Sequence, residues 1–357
     1  MKKKMLIVEN YAHFWQVGEV YNFFSKNFDC EVIVNKKYKE LIHINKPIRV
    51  FRYSRFTLLQ IFFLVRKYDY IFINSSPEYP DYPKDFNSFI NYFDQLISFF
   101  ILNIFNRNKI ILFVRGIYRV IPELTKEKKF YIYLRKFIFL FVKRIVCKNK
   151  NLENILKERF VKKKKILTST LYTRLYYSKK KLNLNINKNK TIGVLGAIDP
   201  LRKDYSLLDD FLQDHGKDIH IIFLGREIND LSNQIIRKYE KYNITSFRNL
   251  SDELFIREGS KCDFLLSLNK EDKHYGTYKG TGSFGDALLL EKTLITPLFS
   301  DPIGEFKDFS YYYKDKKDLQ KLLKDLINNK KQLKENFSNF FIDQVKKKFF
   351  KELKIFQ

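Results

Sequence analysis

Cysteine is scarce in this chain: Cys30, Cys147 and Cys262 are the only three among 357 residues, far apart and odd in number. With no C-x-x-C pair, they argue against a disulfide framework or a structural zinc site and for a reducing compartment. No D-x-D triplet occurs, and no His/Asp cluster has metal-ligand spacing, so neither a divalent metal nor another cofactor is expected. The opening MKKKMLIVEN places four apolar residues before Glu9, too few for the apolar core of a signal peptide. The best candidate for a membrane span, near residues 86–105, is broken by Asp94 and several amides, so a spanning helix is not expected. Glycine is also sparse, with 12 residues, yet four of them crowd into positions 276–285.

What is abundant is apolar and basic. A chain that is 45% hydrophobic and 17% aromatic has ample material for a core, and its length favours two domains. The net charge of +27 is unevenly placed: residues 1–190 hold 39 Lys+Arg against 14 Asp+Glu, whereas residues 191–357 hold 28 against 26. A codon bias spread over the whole chain would not load one half only. Within KKFYIYLRKFIFLFVKRIV (128–146) the basic residues alternate with large apolar ones, a composition suited to an anionic bilayer surface, with Lys136, Lys143 and Arg144 as lipid-facing candidates. The plainer alternative is a core helix whose lysines point to water. The expected localisation is cytoplasmic, peripheral on the inner face of the cell membrane.

Short continuous apolar runs alternate with helical stretches. In the first half these are Met5–Val8, a helix from Val17 to Lys26, EVIVN (31–35), YDYIFIN (68–74), a helix near 86–105, KIILFVRG (109–116), a helix near 126–142 and RIVCKN (144–149). The polar segment 178–190 reads as a linker. The rhythm then restarts with TIGVLG (191–196), IHIIFLG (219–225), NITSFRNL (243–250), CDFLLSL (262–268) and TLITP (293–297), with helices between them and near 316–328 and 330–354. This predicts an α/β protein of two doubly wound, Rossmann-like domains facing a central cleft. The expected division is 1–177 for an acceptor- and membrane-facing domain, 178–190 for the linker, 191–340 for a ligand-binding domain, and 341–357 for a helix packing back on the first domain.

The densest chemical signal is HYGTYKGTGSFGDALLLEKTLITP (274–297). Gly276, Gly280, Gly282 and Gly285 lie before or within the first turn of a helix, where free N–H groups and the helix dipole favour a phosphate. Lys279, Thr281 and Ser283 add charge and donors, and Asp286 can accept from ribose hydroxyls. The spacing is neither G-x-G-x-x-G nor a P-loop, which disfavours dinucleotide binding and P-loop ATPase activity.

Four segments together, TIGVLGAIDPLRKDYSLL, IIFLGRE, SFRNLSDELFIREGSKCDFLLSL and GTGSFGDALLLEKTLITP, resemble in order and spacing the donor domain of GT-B glycosyltransferases of the group-one, retaining type. The resemblance spans about 150 residues of the second half; the first half is similar only in its general pattern of strands. It implies that Gly196 and the pair Arg202 and Lys203 serve the donor diphosphate. Gly225, Arg226 and the backbone around Asn249 and Leu250 would serve the nucleotide base, and Asp286 the ribose. The glycine loop from Lys279 through Gly280, Thr281, Gly282, Ser283 and Gly285 would cradle the diphosphate. The family's other glutamate has no clean counterpart: Tyr278 stands at its spacing and Glu271 precedes an insertion. Candidate general bases come from the first half: Glu9 and His13 after the first strand, Glu78 and Asp81 in SSPEYPDYP.

The implied activity is metal-independent transfer of a sugar from a nucleotide-activated donor to a hydroxyl of a surface polysaccharide or lipid-linked intermediate at the cytosolic membrane face. Two other classes compete. A nucleotide-sugar epimerase on the same fold would have no use for the basic half, and a nucleic-acid binder lacks any helix-turn-helix, zinc or RNA-stacking signature, so no nucleic-acid partner is expected.

Overall fold

The computed structural model describes residues 2–9, 16–42, 44, 46–52, 57–74, 86–117, 121, 123, 129, 132, 133, 136, 139, 142–161, 166–172, 190–271 and 275–356. These divide into two compact units. The first comprises Met1–Thr173, Tyr278–Gly280 and Asp343–Gln357; the second comprises Arg174–Thr277 and Thr281–Ile342.

The first unit is built on seven strands: β1 (Lys4–Glu9), β2 (Asp29–Val34), β3 (Ile48–Val50), β4 (Tyr70–Ile73), β5 (Ile110–Val114), β6 (Arg144–Cys147) and β7 (Leu167–Thr170). They pair in the order β3-β2-β1-β4-β5-β6-β7, every ladder parallel. Strands β4, β5 and β6 are buried along their whole length, the signature of a sheet covered on both faces. The helices are α1 (Val17–Ser25), α2 (Thr57–Leu64), α3 (Phe86–Asn106) and α4 (Lys150–Leu156). Asn149 starts α4 by accepting from the Leu152 N–H at 2.8 Å. On one face of the sheet α2 and α3 share a core with Ile71, Ile73, Leu112 and Val114.

The second unit repeats the plan with β8 (Lys190–Leu195), β9 (Ile219–Arg226), β10 (Ile244–Phe247), β11 (Phe264–Leu266), β12 (Leu294–Pro297) and β13 (Ser310–Tyr313), ordered β10-β9-β8-β11-β12-β13 and all parallel. Its helices are α5 (Asp209–His215), α6 (Asp230–Tyr239), α7 (Asp252–Ser260), α8 (Ser283–Leu290) and α9 (Lys316–Ile327). Asn229 and Ser232 form a reciprocal capping box at the start of α6, and Ser251 caps α7.

A last helix, α10 (Ile342–Glu352), belongs almost wholly to the first unit. Its Phe349 and Phe350 meet Phe23 and Phe24 of α1 edge-on or tilted, with centroids 4.9–6.5 Å apart across the cluster, and Phe356 stacks on Phe28 at 5.0 Å. The helix expected over 330–354 forms only in its second part. Asn329 takes a positive φ, Lys330 and Lys331 donate backbone bonds back to Asp325, and the chain runs irregularly to a short turn at Ser338–Phe340. All three cysteines are free and buried, and burial pushes the thiols of Cys30 and Cys262 up to about 12. No helix among the described residues is long and apolar enough to cross a membrane.

The segment 178–189, together with His13, Glu78 and Asp81, lies outside the described residues. So does much of 128–146, of which Lys136 is half-buried with its ammonium 5.6 Å from the Tyr133 ring centre. Lys143 donates to Asn108 Oδ1 at 2.8 Å. Arg144 is corrected: it opens strand β6, only 7% exposed, and its guanidinium donates to Leu353 O at 2.8 Å and to Asn108 O, so it cannot face lipid.

Candidate functional site

In a doubly wound parallel sheet the connections diverge at one point, and ligands bind beyond the carboxyl ends of the strands there. In the second unit that point lies between β8 and β11, and the loops leaving these two strands carry most of the sequence-derived donor residues.

After β8 the chain turns through Gly196, whose φ of +79° is one that residues with a Cβ rarely adopt. A turn at Asp199–Arg202 follows, held by the Arg202 and Lys203 N–H groups donating to Asp199 O. Lys203 then folds inward beneath the loop that precedes it. Its ammonium donates to Leu195 O and, at 2.6 Å, to Gly196 O, and the residue is 7% exposed. Burial pushes its pKa down to about 7, helped by the neighbouring charge of Arg202 and opposed by Asp286 and Asp199. The resemblance leads one to expect a lysine facing ligand; instead it braces the carbonyls of the phosphate-side loop. Arg202 is exposed, donating to the Tyr275 hydroxyl.

After β11 come Ser267 and Asn269. Asn269 pairs with Lys203 through a backbone bridge and donates from its side chain to Thr281 Oγ1 at 3.4 Å, which ties the two loops together. Thr281, Ser283 and Ser267 form a buried hydroxyl chain, with Thr281 to Ser283 and Ser283 to Ser267 both at 3.2 Å. These hydroxyls therefore shape the approach to α8. Helix α8 starts after Gly282, which has no side chain to cap it; the Ser283 N–H donates to Thr281 Oγ1 at 3.3 Å, and the N–H groups of a first turn have no acceptor within their own helix.

The crowded glycines separate by role. Gly276 sits at φ +76°, and a Cβ there would lie 1.8 Å from Phe299 O. Gly280 belongs to the first unit and packs against Lys148 and Asn149, where a Cβ would come within 3.0 Å. Gly285 is buried within α8. Gly282 differs from Gly276 and Gly280: its φ is ordinary and, among the described residues, a Cβ would meet nothing within 4 Å. Open space thus lies directly before an uncapped helix start, with Asp286 half-buried one turn on and near enough to Lys203 to raise its pKa.

Other candidates lie elsewhere. Gly225 is explained by packing, because a Cβ would overlap Gly196 O at 2.1 Å; its role is to let β9 approach the Gly196 turn. Arg226 is exposed at the end of β9. Asn249 and Leu250 lie on the loop after β10, two strands from β8. Lys279 is in the first unit, bridged antiparallel to Gly116, with the Ile117 N–H donating to Tyr278 O at 3.0 Å.

The first unit's divergence point, between β1 and β4, holds a buried network that sequence reasoning missed apart from Glu9. Glu9 Oε2 accepts from Asn74 Nδ2 at 2.7 Å, and Asn74 Oδ1 accepts from Arg115 Nη2 at 2.8 Å. Arg115 also donates to Asn74 O and lies over the Phe113 ring, 4.4 Å from its centre. Glu9 is fully buried, which corrects its assignment as a general base: it anchors Asn74 and balances the arginine. The available signal was a polar residue immediately past each apolar run: Glu9 in MLIVE, Asn74 in IFIN, Arg115 in ILFVR. Among the described residues no group of three His, Cys, Asp or Glu side chains is placed to hold a metal ion.

No protein-family model matches the chain, and no curated protein matches it by sequence. Solved structures do match its fold. HepE (Alr3699) of Anabaena, in complex with UDP and glucose, aligns with a TM-score of 0.66 at 12% identity, covering 99% of each chain. The lipopolysaccharide outer core galactosyltransferase WaaB, in its apo form, aligns at 0.59 and 12% identity over 98% of this chain and 99% of its own. A UDP-N-acetylglucosamine 2-epimerase aligns at 0.57 and 15% identity over 99% and 96%. The fold is GT-B, shared by glycosyltransferases and by this epimerase.

Proposed function

We propose that a chain with the GT-B fold, an open, uncapped helix start and a lysine-braced glycine turn is a glycosyltransferase that draws its sugar from a nucleotide-activated donor. The observation that carries this reading is the unfilled space at Gly282 before α8, beside the Lys203 and Arg202 loop. Backbone N–H groups with a positive dipole end and two cations suit a diphosphate, whose charge grows as it leaves. The UDP bound in the similarly folded HepE supports the same chemistry.

In this reading the first-turn N–H groups of α8 and the exposed Arg202 receive the leaving diphosphate without a metal. Lys203 holds the Gly196 turn in shape, and its ammonium adds field from below. Asp286 accepts from ribose hydroxyls. The acceptor is a hydroxyl of a surface polysaccharide or lipid-linked intermediate, brought to the cytosolic face of the membrane by the basic first half. His13, Glu78 and Asp81, which follow β1 and β4 in the sequence, are the candidate bases.

The test is a thermal-shift screen against nucleoside diphosphates and nucleotide sugars, because a ligand bound only by the folded state raises its apparent stability. Hits are then assayed for diphosphate release with an acceptor mixture, in the presence and absence of EDTA. Release that survives chelation supports the reading. Loss of release on chelation, restored by a divalent ion, overturns its metal-free part. Interconversion of the sugar with the nucleotide retained assigns the fold to epimerisation, and absence of any stabilising nucleotide overturns the donor site.

A further inference from the structure

The first unit carries an exposed apolar strip. On α3, Phe93, Ile97 and Ile104 are exposed at spacings of four and seven residues, which puts them on one face along about 16 Å of helix. At the carboxyl end of α3 the strip widens. Phe105, 68% exposed, meets Phe62 of α2 edge-on at 5.6 Å, and Phe62 in turn meets Phe63, which is 75% exposed.

Basic residues gather at that same end. Lys109, just past α3, donates to Val65 O and Tyr68 O at 3.1 and 2.8 Å, and so clamps the end of α3 to the turn after α2 that carries Arg66 and Lys67. Arg66, Lys67 and Arg107 are all exposed. From Thr57 to Lys67 and along the whole of α3 the single carboxylate is Asp94, and it is buried. Large aromatic side chains beside arginine and lysine match the headgroup boundary of an anionic bilayer, where rings insert and cations meet lipid phosphate; the next carboxylate along the chain, Asp69, is exposed and accepts from the Lys4 N–H at 2.7 Å.

We propose that the α2–α3 face, centred on Phe63 and Phe105 and edged by Arg66, Lys67 and Arg107, is the surface that docks on anionic lipid. This deepens the membrane-face part of the proposed function and moves the contact away from 128–146. It does not depend on the nucleotide site.

The test uses the full chain and vesicles of phosphatidylcholine alone or mixed with phosphatidylglycerol. Wild type is expected to sediment with the anionic vesicles only and to be released by salt. Phe63→Ser with Phe105→Ser, and separately Arg66→Gln with Lys67→Gln and Arg107→Gln, are expected to lower partitioning about tenfold or more, while Lys136→Gln with Lys143→Gln leaves it unchanged. Phe63→Trp, a conservative reporter, is expected to shift its emission to the blue on anionic vesicles. Circular dichroism and nucleoside diphosphate thermal shift on the same samples separate loss of docking from loss of fold or of the donor site. Equal sedimentation of wild type and both surface variants, no response from the tryptophan, or a wild-type dimer dissolved by Phe63→Ser with vesicle binding intact would each overturn the proposal.

Discussion

The two sheets share one winding plan and use their divergence points in opposite ways. In the first unit the point between β1 and β4 is sealed by Glu9, Asn74 and Arg115, with opposite charges at the two ends of an amide and almost no solvent access. In the second, the point between β8 and β11 is left open at Gly282 among the described residues, and a buried cation, Lys203, is turned back onto backbone carbonyls. The first arrangement fixes where two loops begin. The second leaves a helix start without a cap from its N-cap residue. A parallel sheet thus supplies a position, and the polar residues just past its strands decide whether that position is structure or site.

The largest effect expected from breaking this contrast is on stability. Asn74→Ala removes both side-chain bonds at the centre of the buried network and is expected to cost about 3 kcal/mol or more in urea unfolding. Nucleotide binding in the folded fraction should be little changed; an equal loss in binding would contradict the division of roles. Next is Gly282→Val, where the added Cβ has no described atom within 4 Å, so the melting temperature should hold within about 1 °C while affinity for nucleoside diphosphate falls by about 2 kcal/mol, roughly thirtyfold. Retained affinity would mean that the open space is not where phosphate sits.

At any one pH step a smaller effect follows from Lys203. Its pKa falls from 10.5 unfolded to about 7 folded, so between these values the unfolded state holds more protons and the group's contribution to stability rises with pH, by at most about 1.4 kcal/mol per pH unit. Lys203→Met should flatten that part of the stability profile between pH 7 and 10. A bound diphosphate favours the charged ammonium, so binding near pH 8 should take up protons, seen as a buffer-dependent enthalpy; no buffer dependence would remove Lys203 from the site. The smallest expected change is in Lys136→Gln with Lys143→Gln, where loss of a ring contact and an amide bond at the surface should shift stability by about 0.5 kcal/mol or less.

Much of this architecture is legible in the sequence because fully buried parallel strands are continuous apolar runs: MLIV, EVIVN, YIFI, IILFV and IHIIFLG all became strands within a residue or two of their expected bounds. Strands β3, β7 and β13 escape because they are short and carry Arg49, Thr168, Thr170 or several tyrosines, which look like loop. Helix α2 escapes because TLLQIFFL is apolar all round and gives no helical period. The glycine-rich stretch is visible as a cluster, but composition cannot say that Gly276 relieves a clash with Phe299 O while Gly282 faces open space. Nor can it reveal a network whose members are 65 and 41 residues apart.

The return of Asp343–Gln357 to the first unit also has a temporal side. When a ribosome has released residues 1–173, Phe24 and Phe28 can already meet Phe72 and Tyr70, but the side of the Phe23, Phe24 and Phe28 cluster that meets Phe349, Phe350 and Phe356 is uncovered, because those three are not yet translated. At about 5–20 residues per second that face waits roughly 10–35 s, while the whole second unit is synthesised. The first unit is begun first and finished last, so a nascent chain stalled before α10 presents three adjacent phenylalanines to whatever binds exposed aromatic surface in the cell.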